Sequence, residues 1–118
     1  MLKTLPQLLQ QAKPNVQLLT AKQAAQDISQ NNGLLIDVRE SAEHLSAPPI
    51  GAINIPRGVL EMKKLEIVKD PERPIYLHCA SSLRATLAAE QLARMGYTNV
   101  SVITCKIDEV LKMHQYSD

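Results

Sequence analysis

Short, mostly apolar runs at Leu34 to Val38, Ile53 to Ile55, Ile75 to His78 and Asn99 to Ile103 alternate with segments whose apolar residues recur at helical spacing. Runs of this length are too short for helices, and their nearly continuous apolar character suits strands covered on both faces. Strands that alternate with helices through short connections imply right-handed crossovers. The expectation is an α/β fold with a parallel sheet and helices on both of its faces. Val16 to Leu19 is a candidate for a further short strand.

The intervening segments carry helix signals. Leu2, Leu5, Leu8, Leu9 and Ala12 form one stripe that must end before Pro14, so residues 1–14 read as an N-terminal helix packed on a main domain of residues 15–118. Thr20 and Gln23 make a capping-box pattern opening a helix through Ile28, closed by Asn31-Asn32-Gly33. Ser41 is placed to cap a short turn through Leu45, and Pro48-Pro49 forces an extended path. Val59, Met62 and Leu65 suggest a helix over residues 59–68. Leu83 to Met95, with Gly96 after it, is the strongest helix pattern, and Ile107 to His114 closes the chain with Ile107, Val110, Leu111 and His114 on one side.

One domain of 118 residues buries roughly two thirds of its unfolded surface, and here the core must be aliphatic. There is no Phe or Trp, and the aromatic residues are Tyr76, Tyr97 and Tyr116. With 13 Lys plus Arg against 12 Asp plus Glu, no broad basic face is available to nucleic acid, and stacking platforms are scarce. No apolar run approaches the ~20 residues of a membrane span, and the Gln-rich start lacks a secretion-signal core, so a cytoplasmic protein is expected. Two cysteines, Cys79 and Cys105, make no disulfide scaffold, and no Cys or His spacing suggests a metal. No cofactor is expected.

Cys79 ends the strand Ile75 to His78, and Ala80-Ser81-Ser82-Leu83-Arg84 leads directly into the strongest helix. Ligands of open α/β sheets gather where strands end and helices begin, because free amides and the positive helix start converge there. That environment favours the thiolate of a cysteine, and Arg84 adds a fixed cation. A cysteine closing an apolar strand is more often packing than chemistry, so position alone does not decide.

The motifs along the chain, taken in order, resemble those of the single-domain rhodaneses, a sulfurtransferase family. Asp37-Val38-Arg39 resembles the family's Asp-Val-Arg strand end, and Gly51-Ala52-Ile53-Asn54-Ile55-Pro56 its Gly-Ala-x-Asn-Ile-Pro segment. Ile75 to Arg84 resembles the active-site strand and six-residue loop, and Gly96-Tyr97-Thr98-Asn99-Val100 the turn into the last strand. The resemblance implies a three-layer rhodanese-like fold around a central parallel five-stranded sheet. It implies that Cys79 takes a sulfane sulfur from a small anionic donor such as thiosulfate, holds it as a persulfide, and yields it to a thiol, protein or cyanide acceptor.

In that scheme the amides of Ala80, Ser81, Ser82, Leu83 and Arg84 bind the added sulfur, and Arg84 either braces the loop toward an anionic donor or is held by a nearby carboxylate. Asp37 and Arg39 support the site, with Asp37 an architectural partner for Arg39 or loop amides. Cys105 is a second thiol that could attack an oxidised Cys79, or a strand-end cysteine without chemistry. His44 and His78 read as structural or exposed. Related phosphatases and arsenate reductases place one more residue between Cys and Arg, whereas four intervene here, which argues against phosphate chemistry. The chain also departs from the family. Ser82 stands at the loop glycine, Thr104-Cys105-Lys106 replaces paired glycines, and Ala47-Pro48-Pro49 lacks the usual histidine. These departures motivate the alternative of a rhodanese-like binding or regulatory module with weak catalysis.

Overall fold

The computed structural model describes residues 1–104 and 107–114, the side chains of 64–67 and 113–114 excepted. In chain order the elements are α1 (Leu5–Ala12), β1 (Gln17–Leu19), α2 (Ala21–Asn31), β2 (Leu34–Asp37), α3 (Ser41–Ser46), β3 (Ile53–Asn54), α4 (Leu60–Ile67), β4 (Ile75–His78), α5 (Leu83–Met95), β5 (Val100–Ile103) and α6 (Ile107–His114). Short 3-10 turns at Lys13–Asn15 and Arg57–Val59 join α1 to β1 and lead into α4. The sheet has five strands in the order β1-β5-β4-β2-β3, and every pairing is parallel.

Register explains why the strands are apolar throughout. Ile36 pairs with Leu77 and Leu77 with Val102, a row that faces one core with Ala85, Ala88, Ala89 and Leu92 of α5 and Leu60 of α4. The alternate residues Leu35 and Tyr76 face a second core with Ala21 and Ala24 of α2 and Val110 of α6. Helices therefore cover both faces, and alanines on α2 and α5 let their backbones approach the sheet. α1 lies against α5.

Local signals set most boundaries. Thr4 and Thr20 each cap a helix through a reciprocal bond with a glutamine three residues on, Gln7 and Gln23. The first helix accordingly starts at Leu5, leaving Leu2 exposed outside the stripe expected for it. α2 runs to Asn31 and is closed by Asn32 in the left-handed region, φ 56°. Gly33 follows, where a Cβ would lie 2.5 Å from the Tyr76 ring.

Two local expectations need correction. Ser41 is the first residue of α3 rather than its cap. Glu40 occupies the cap, its amide donating to Glu43 Oε1 at 3.0 Å, because a carboxylate three residues into the helix satisfies that amide. The helix near residue 60 turns a different face inward. Val59 and Met62 are 37% and 69% exposed, whereas Leu60 is fully buried. The 3-10 turn through Val59 shifts the start of α4 to Leu60 and carries that side chain into the core.

The expectations for Cys105, Lys106 and the side chains of Leu65 and His114 fall outside the described residues. Among the described residues no helix is long and apolar enough to cross a membrane.

Candidate active site

The site forms where β2 and β4 end side by side. Asp37 pairs in register with His78, so the residues after them, Val38 and Cys79, leave the sheet together, and the amide of Val38 donates to the His78 carbonyl at 3.0 Å. Cys79 enters the loop at the bottom, with its side chain inside the core and the residue 1% exposed.

The loop turns on Ser82, which caps α5 in the left-handed region at φ 71° and ψ −8°. The Ser82 carbonyl accepts from the Thr86 amide at 2.9 Å and from Thr86 Oγ1 at 2.7 Å, which fixes the turn. This geometry brings the first turn of α5 over the cysteine. The Ala85 amide donates to Cys79 Sγ at 3.4 Å, so the sulfur accepts from a helix-start donor. That donor lies one residue past the 80–84 segment expected to hold an added sulfur. The loop is tied from the other side by α6, whose Ile107 amide donates to the Ala80 carbonyl at 3.1 Å.

Arg84 points to α3. Its two terminal nitrogens donate to the two carboxylate oxygens of Glu43 at 2.7 and 3.0 Å, a bidentate pair. Hydrogen bonding from Arg84 holds the Glu43 carboxyl down to about 2, and the same bonds push Arg84 above its usual range, with Cys79 adding a smaller attraction. Of the two roles open to Arg84 in the sequence, the carboxylate-held one describes this arrangement. Glu43 itself was missed. Its available signal is an acidic residue three places after the Glu40 cap on a helix that follows a strand end.

Asp37 is the hub of a buried polar cluster. Arg39 donates to it from Nε at 3.0 and 3.1 Å, from one terminal nitrogen at 2.8 Å and from its amide at 3.0 Å. His44 Nδ1 lies 2.8 Å from Asp37 Oδ2, and His78 Nε2 lies 3.9 Å from Oδ1. Burial alone would raise the Asp37 carboxyl, but the bonds from Arg39, the nearby His78 and the contact with His44 outweigh it and lower it. Arg39 also donates to the Ala47 carbonyl at 2.7 Å, and Asn54 ties the carbonyls of Asp37 and Arg39. The cluster braces the strand end beneath Cys79. His44, whose role the sequence left open, is one of its members.

The model of the rhodanese-like domain family matches residues 20–112. YqhL of Bacillus subtilis strain 168 is 42% identical over 66 residues, covering 56% of this chain and 51% of its own length. YrkF of the same organism, provisionally named a sulfur carrier protein, is 31% identical over 87 residues, 74% of this chain and 45% of its own. The chain thus spans about half the length of these curated relatives. The polysulfide-sulfur transferase homodimer of Wolinella succinogenes is similar with a TM-score of 0.74 and 28% identity, over 89% of this chain and 80% of that one.

Proposed function

The chain belongs to the rhodanese-like domain family, and from that premise we infer that it transfers sulfane sulfur through a persulfide on Cys79. The observation that carries the inference is the placement of Sγ at the end of the central strand β4, under a helix start whose Ala85 amide already donates to it. A donor offered at this sulfur meets a nucleophile seated at a helix start, where an added sulfur finds amide donors.

The transfer has two balanced steps. Cys79 sulfur, as thiolate, attacks the outer sulfur of the donor; the new S–S bond forms as the donor's own breaks, and the leaving group departs with the electron pair as a thiolate or, from thiosulfate, as sulfite. The amides of residues 80–84 hold the outer sulfur of the persulfide. An acceptor thiolate or cyanide then attacks that sulfur and Cys79 leaves as thiolate. Arg84, held by Glu43, keeps the loop in shape, and Asp37 with Arg39 fixes the strand end on which it stands. The sulfur-handling names of two relatives support this cargo.

A second reading, a module that binds partners without turnover, is favoured by the burial of Cys79 and the non-glycine turn at Ser82. One experiment separates them. The protein is loaded with mercaptoethanol persulfide, freed of excess donor and treated with cyanide. Transfer predicts one equivalent of thiocyanate per chain and none from Cys79→Ala; no thiocyanate from the unaltered chain leaves the binding module.

A further inference from the structure

Resting on that reading, we propose that the site selects its donor by charge: it takes sulfur from organic persulfides carrying at most one negative charge and discriminates against dianionic thiosulfate, because Glu43 occupies the guanidinium of Arg84. Ala80, Ser81, Ser82 and Leu83 carry no charge, so Arg84 is the single cation of the loop sequence. Both of its terminal nitrogens donate to the two oxygens of Glu43, which offsets its charge. The fixed cation behind the loop is similarly matched, since Arg39 turns to Asp37.

The rim adds negative charge. The Ile107 amide bonds the Ala80 carbonyl, which sets the first turn of α6, with exposed Asp108 and Glu109, beside the loop. Glu40 acts on Arg84 from the cap of α3. Among the described residues, no cation at the loop is left without an acid.

The chemistry turns this pairing into selectivity. Attack of the Cys79 thiolate on thiosulfate gathers three negative charges, which leave as a persulfide anion and the sulfite dianion. Attack on R–S–S⁻ gathers two, and the products are the Cys79 persulfide anion and R–S⁻. Like charges at a desolvated centre repel strongly unless a cation sits between them, and Glu43 has taken the cation.

The test compares thiosulfate with mercaptoethanol persulfide as donor, each kcat/KM divided by that donor's rate with free thiol. The unaltered chain favours the persulfide by at least about tenfold. Glu43→Gln, which removes the bidentate partner of Arg84, raises the thiosulfate-to-persulfide ratio by about tenfold, and added salt erodes the gain. Glu43→Gln combined with Arg84→Gln abolishes it. A merely structural pair would depress both donors alike and leave the ratio in place. Equal use of the two donors by the unaltered chain, as a cation supplied by Lys106 would produce, overturns the proposal, and so does an unmoved ratio in Glu43→Gln. Failure of both donors to load Cys79 refutes the sulfur-transfer reading itself and the proposal with it.

Discussion

Ser82 holds a backbone conformation that its side chain opposes. A φ of 71° costs a residue with a Cβ roughly 1–2 kcal/mol relative to glycine, and the two bonds from Thr86 to the Ser82 carbonyl are what retain it. Ser82→Gly is therefore expected to stabilise the fold by about 1 kcal/mol, read as a higher urea midpoint at unchanged slope. A lower midpoint would mean that the serine hydroxyl supports the loop by a bond worth more than the strain. The strained position was legible, because Ser82 stands where the motif carries glycine. The partner of Arg84 was not, since Glu43 lies 41 residues away and meets it only once β2 and β4 are paired.

α3 is a clamp with two jaws. Adjacent residues of this six-residue helix reach different partners, Glu43 to Arg84 at the head of α5 and His44 to Asp37 at the end of β2. A helix so short is not stable alone, so these contacts hold it as much as it holds them. Its contribution depends on pH in a defined direction. Glu43 is lowered from 4.5 to about 2, so the stability it adds is fully present above pH 4.5 and is lost as pH falls toward 2. The difference in unfolding free energy between the unaltered chain and Glu43→Gln should accordingly be largest above pH 4.5 and shrink to a small remainder as pH falls to about 2; a difference independent of pH over that range would contradict the pairing. Elements of this kind are read from sequence better in kind than in orientation. The Thr20–Gln23 box and the Leu83–Met95 pattern specify helices by contacts within themselves, whereas residues 59, 60, 62 and 65 offer apolar groups on more than one face, and the preceding turn selects Leu60.

The strand order decides where chemistry can occur in the molecule. From β2 the chain adds β3 on one side, then returns to place β4 and β5 on the other, so the crevice between the ends of β2 and β4 is the switch point of the sheet. Asp37 and His78 end those strands, and Cys79 follows at the centre, between an aliphatic core under α5 and the polar cluster around Asp37. The existence of the strands was legible as apolar runs, and the Asp-Val-Arg and cysteine-loop motifs carried the family. The order of strands and the facing of α3 were not, because both depend on pairings between residues distant in sequence. The function proposed for this architecture rests on the Cys79 sulfur accepting another. The most direct measurement is the intact mass of the chain after exposure to mercaptoethanol persulfide and removal of the donor. The account predicts a gain of one sulfur atom in the unaltered chain and in Cys105→Ala, and none in Cys79→Ala; a gain that persists in Cys79→Ala, or an unaltered chain whose mass does not change, would contradict it.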